Sequence, residues 1–123
     1  MSADSFIDGQ IDIEPPIPLS DIPANSPHLA SNHHGFYALN PLVEVVFELD
    51  TDPDTGQRAA IALVPAVTYG RKLGNPAAEI QDIIDAHGSG RIFSGELDVE
   101  TVGGGRPDYC RVIIRDGRAV WDD

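Results

Sequence analysis

Apolar and polar residues alternate one for one in three separate stretches of this chain, and that period of two is the signature of strands with one buried and one solvated face. In Phe6–Glu14, Ile7, Gly9, Ile11 and Ile13 share one side, and Asp8, Gln10, Asp12 and Glu14 share the other. Residues 42–50 repeat the pattern, with Val43, Val45, Phe47 and Leu49 inward, Glu44, Glu48 and Asp50 outward, and Val46 interrupting the polar side. Residues 91–100 set Phe93, Leu97 and Val99 against Glu96, Asp98 and Glu100. Arg58–Val64 is a mostly apolar strand, joined to the second stretch by the turn formers Asp52, Pro53, Asp54 and Gly56, so these two are expected to pair as an antiparallel hairpin.

The punctuation supports the same reading. Pro15 and Pro16 are expected to end the first strand, and Leu19–Ile22 to form a brief helical turn. Residues 23–41 are rich in Pro, Asn, Ser and His and predict a long loop, the kind of segment that often carries recognition. Near the other end, Asp116-Gly117 lies between Tyr109–Arg115 and Arg118–Trp121, which predicts a hairpin setting Ile113 opposite Val120. The best helical spacing follows Asn75, a capping residue, and Pro76, which suits a first helical position. Ile80, Ile83, Ile84 and His87 form its stripe and Gly88 can close it, with His87 expected to be partly buried or to favour the negative helix terminus. The expected architecture is therefore a single α+β domain spanning residues 1–123, with element order β, long loop, ββ, α, βββ. It is a mostly antiparallel sheet with one helix packed on a face.

Charge divides the chain. Residues 1–56 hold ten Asp and Glu and no Lys or Arg, whereas residues 57–123 hold ten acids and all eight basic residues, for a net charge of −12. A field of this sign repels nucleic acid and anionic membranes and steers a basic partner, besides keeping a small protein soluble. No apolar run approaches the ~20 residues of a membrane-spanning helix, and the first ten residues lack the pattern of a secretory signal, so the cytoplasm is the expected setting. Cys110 is the single cysteine, which excludes an intrachain disulfide; its neighbours Val112 and Ile114 place it on an apolar face as a small buried hydrophobe.

Motifs for chemistry fall short of their templates. Asp50, Asp52 and Asp54 resemble a calcium loop, but counting from Asp50 puts Thr55 where the glycine belongs and Ile61 where the bidentate glutamate belongs. His28, His33 and His34 lack the spacing of a metal site. Arg71 and Lys72 between Gly70 and Gly74 could bind an anion, yet the nucleotide-binding glycine patterns are missing, and Gly103–Gly105 precede a strand rather than a helix. No nucleophile, base and orienting group can be named together, so neither an enzyme nor a bound cofactor is expected.

Two further stretches carry a resemblance: Gly9 to Pro16, and Phe93–Ser94–Gly95–Glu96 followed by Asp108–Tyr109–Cys110–Arg111–Val112–Ile113 and the Asp116-Gly117 turn. They resemble small acidic proteins of unknown function from actinobacteria and their bacteriophages. The resemblance implies a bacterial or phage setting and supplies no activity. The leading expectation is a non-catalytic interaction protein, phage- or mobile-element-encoded, that binds a basic host protein through its acidic surface, with nucleic-acid mimicry or inhibition of a defence protein as special forms. Asp8, Asp12, Glu14, Glu44, Glu48, Asp50, His33, His34 and Tyr37 are the residues expected to meet that partner. The alternative is a small-ligand or nucleotide-binding module using Arg71, Lys72 and Arg106.

Overall fold

A computed structural model describes residues 4–32, 43–66, 74–102 and 108–122. Among these, six strands form one antiparallel sheet: β1 (Asp4–Pro18), β2 (Val45–Thr51), β3 (Arg58–Pro65), β4 (Ile92–Val102), β5 (Asp108–Arg115) and β6 (Arg118–Asp122), in the order β2-β3-β1-β4-β5-β6. The first strand of the sequence thus lies in the middle of the sheet, paired with β3 on one side and β4 on the other. The helix α1 (Pro76–His87) packs across one face and touches the edge strands β2 and β6.

Alternation decides which face is covered. Ile7, Ile11 and Ile13 of β1, Phe93, Leu97 and Val99 of β4, Val112 of β5 and Leu63 of β3 meet Ile80 and Ile83 of α1 in one core. Near the start of β1 the buried Ser5 and the half-buried Thr101 hydrogen-bond to each other at 3.0 Å, so the two hydroxyls satisfy one another. Asn75 caps α1 by accepting from the Ala78 N–H, and Pro76 occupies the first turn as expected. Gly88 closes it through its N–H to the Ile84 carbonyl while keeping right-handed backbone angles. Cys110 is half-buried against the core. The Asp116-Gly117 turn has positive φ at both residues and sets Ile113 opposite Val120 and Val112 opposite Trp121.

The end of β1 differs from expectation. β1 does not stop at Pro15 and Pro16 but runs on to Pro18. Its pairing with β4 ends at Glu14, and its pairing with β3 breaks after Asp12 and resumes at Ile17, opposite Ala60. The prolines therefore occupy the interval in which neither neighbour requires an N–H, which is where a sheet tolerates them.

The edge of β2 is covered by part of the segment that the sequence leaves as loop. Phe47 N–H donates to the His28 carbonyl at 2.8 Å, and the His28 ring bonds through Nδ1 to the Val45 carbonyl at 2.9 Å. Since a carbonyl only accepts, Nδ1 carries the proton. Leu29 of the same segment, and Ile22 just before it, are buried in the core. At the opposite edge Gln81 accepts from the Ala119 N–H. Both edges are thus partly saturated, which limits strand addition there.

Candidate interaction surface

The second face of the sheet is the polar side of each alternating strand. Because directly paired residues project on the same side, register converts single carboxylates into rows. One row runs Asp8, Asp98, Arg111, Asp122 across β1, β4, β5 and β6. The next on one side runs Gln10, Glu96, Ile113, Val120, and the next on the other runs Phe6, Glu100, Tyr109. Beyond Gln10, Asp12 faces Ser94 on β4 and Ala62 on β3, and Ala62 faces Glu48 on β2. Carboxylates of the acid-only first half of the chain are thereby set beside those of the second half.

Asp8 and Asp98 oppose each other directly, an arrangement of like charges that a sheet does not favour. The cation nearest in the ladder, Arg111, pairs with Glu96 at 3.2 Å, one row away. Gln10 donates to Asp12 at 2.6 Å. Toward the β5–β6 turn the face changes sign, with Arg115 opposite Arg118. The surface is therefore polarised, negative over β1 and β4 and positive at the hairpin tip.

Over β1, β4 and β5 this face is concave. A groove of about 510 Å³ is lined by Phe6, Asp8, Asp98, Glu100, Tyr109 and Arg111. Phe6 is 41% exposed and Tyr109 69% exposed, large values for aromatic side chains. They flank Glu100 in one row, and the Tyr109 hydroxyl reaches the Glu100 carboxylate at 3.4 Å. A smaller hollow of about 280 Å³ lies by the C-terminal end of α1. Its charged lining residue, Arg91, gives two donors to the Pro15 and His87 carbonyls.

The expected partner-binding residues separate into three groups. Asp8, Asp12, Glu14, Glu48 and Asp50 are exposed. His33, His34 and Tyr37, together with Arg71, Lys72 and Arg106, lie outside the described residues. Glu44 is a correction: it is only 3% exposed, so it offers no surface to a partner. It precedes β2 in a bend, where strand alternation no longer governs direction. Its Oε1 accepts from the Gly74 N–H at 3.0 Å, and its own N–H donates to the Glu79 carboxylate of α1. A Cβ on Gly74 would crowd Glu44 Oε1 at 2.7 Å, so glycine permits this approach.

Glu79 also accepts from the Val45 N–H and lies 3.9 Å from His28 Nδ1. Burial raises its pKa, against the lowering effect of the two amides and His28. Nearby, His87 stacks edge-on with Phe47, and burial together with Arg91 lowers its pKa while Asp21 draws it back up. Arg91, not His87, holds the terminal helix carbonyl. These groups join α1 to β2 and lie away from the groove. Among the described residues no three His, Cys, Asp or Glu side chains are placed to hold a metal ion.

The aromatic members of the groove, Phe6 and Tyr109, escape a reading by alternation alone. Phe6 falls on the polar side of its strand and Tyr109 falls out of phase with Cys110 and Val112, and an apolar residue on a polar face is the sequence signal that would have found them. No described helix is long and apolar enough to cross a membrane. No curated protein and no solved structure matches the chain. A family model does match, over residues 1–123, and the chain belongs to that family of unknown function, DUF6205.

Proposed function

We propose that the protein is a non-catalytic interaction protein whose acidic sheet face binds a basic protein partner. The observation that carries this reading is the juxtaposition of carboxylates from strands that are distant in sequence: Asp8 beside Asp98, with Glu96 in the next row, and Asp12 in line with Glu48 across Ala62. Rows of carboxylates on neighbouring strands produce a field that a basic surface senses before contact, which speeds encounter and fixes orientation. The sign change toward Arg115 and Arg118 gives the partner a preferred direction of docking. Nucleic-acid mimicry is a special form of this function, in which the carboxylate rows occupy a partner's phosphate-binding channel. The phage setting implied by the sequence resemblance would make that partner a host protein.

The experiment measures affinity for a basic peptide and for single-stranded DNA over a range of salt. The expected result is binding to the peptide that weakens steeply between low salt and several hundred millimolar, with no DNA binding. Affinity for DNA, or peptide affinity indifferent to salt, would contradict the proposal.

A further inference from the structure

We infer that the groove between Phe6 and Tyr109 is a receptor for one arginine side chain of the basic partner, and so the anchor of the docking surface; this rests on the acidic-face reading above. Charge complementarity selects the occupant. Asp8, Asp98 and Glu100 line the groove, and its arginine, Arg111, is already bonded to Glu96. An anionic ligand would meet three carboxylates, whereas a cation completes the site.

The kind of cation follows from what else is there. A compact metal ion wants several oxygens converging on one point, and the described carboxylates do not converge in that way. A guanidinium is planar, delocalised and weakly hydrated. It stacks on aromatic faces while its five N–H groups reach acceptors spread around its rim. The row Phe6, Glu100, Tyr109, with Asp8 and Asp98 in the row beside it, provides two rings and three carboxylates in that arrangement. The volume of about 510 Å³ lies in the size range of ligand pockets, roughly 300–1,000 Å³, and leaves room for the flanking backbone of the partner. The direct opposition of Asp8 and Asp98 has a role on this account, because the cation described in their row, Arg111, is bonded to Glu96 in the next row.

The test is an amide chemical-shift titration of the isotopically labelled full chain with a short blocked peptide containing arginine, and with its lysine counterpart, at low salt. Expected are shifts concentrated at Phe6, Asp8, Asp98, Glu100 and Tyr109, with the arginine peptide binding several-fold tighter than the lysine peptide. Tyr109→Ala should weaken binding by roughly three- to thirty-fold and Tyr109→Phe should restore most of it. Glu100→Gln should also weaken it. Tyr109 is exposed, so these variants retain the parent spectrum outside the groove. Equal affinity of the two peptides, or unchanged affinity in Tyr109→Ala and Glu100→Gln, overturns the arginine receptor. Shifts that cluster at Asp12, Glu14 and Glu48 overturn the groove while leaving the acidic-face proposal standing. No shift with either peptide overturns both.

Discussion

Gly9 and Gly95 show how single residues hold the two central strands in place. Both have positive φ, +108° and +123°, and a Cβ on Gly9 would overlap the Glu96 carbonyl oxygen just as one on Gly95 would overlap the Gln10 carbonyl oxygen. Each therefore faces both a backbone-angle penalty and a steric one. Gly95→Ala is expected to destabilise the fold by about 2 kcal/mol or more, read as a lower denaturant midpoint. An unchanged midpoint would mean that the strands can separate there without loss. Gly9 falls on the apolar side of the alternation yet is exposed, and a sequence shows a small residue there but not the neighbouring carbonyl that demands it. Glu44 illustrates the reverse difficulty. Its position in the alternation points outward, yet it lies before the strand begins and turns in to meet Gly74 and Glu79. Periodicity is informative only within an element, and here β2 begins at Val45, three residues after the pattern starts at residue 42.

At the scale of elements, the terminal hairpin was legible because its turn is local. Asp116 and Gly117, at φ +53° and +74°, adopt the type I′ geometry that matches the twist of the flanking strands. Gly117→Val should cost about 1–3 kcal/mol, measured as a drop in Tm, and a Tm equal to that of the parent would contradict the turn assignment. The helix terminus makes a pH prediction. The folded pKa of His87 lies below its ordinary value of 6.5, so the unfolded chain binds the proton more readily. Stability should then fall as pH drops through 6.5 and level off below the folded value, and His87→Gln should remove that slope. Glu79 acts in the opposite sense: its folded pKa lies above 4.5, so its contribution is present below 4.5 and lost as pH rises through the folded value. Chemical denaturation at a series of pH values separates the two. A His87→Gln variant with the parent's slope would show that another group is responsible.

For the whole molecule, what alternation leaves undetermined is which strands become neighbours. Phe6–Glu14 and residues 91–100 each show an acidic side, but nothing local says that about eighty intervening residues fold so as to bring Asp8 opposite Asp98. Strand adjacency is decided by long-range packing around Ile11, Leu63 and Leu97, with β1 inserted between β3 and β4. The division of charge between the two halves of the sequence is accordingly not the division of charge on the surface. The central claim is that binding depends on where the carboxylates lie and not merely on how many there are. It is tested most directly by comparing two variants that each lose three negative charges: Asp8→Asn/Asp98→Asn/Glu100→Gln on the sheet face, and Asp54→Asn/Asp82→Asn/Asp85→Asn on the β2–β3 turn and α1. Affinity for an arginine-rich peptide at low salt should fall at least roughly fivefold in the first variant and change little in the second, since two or more close contacts, each able to contribute about 0.5–1 kcal/mol, are lost only from the face. Equal losses in the two variants would contradict the account.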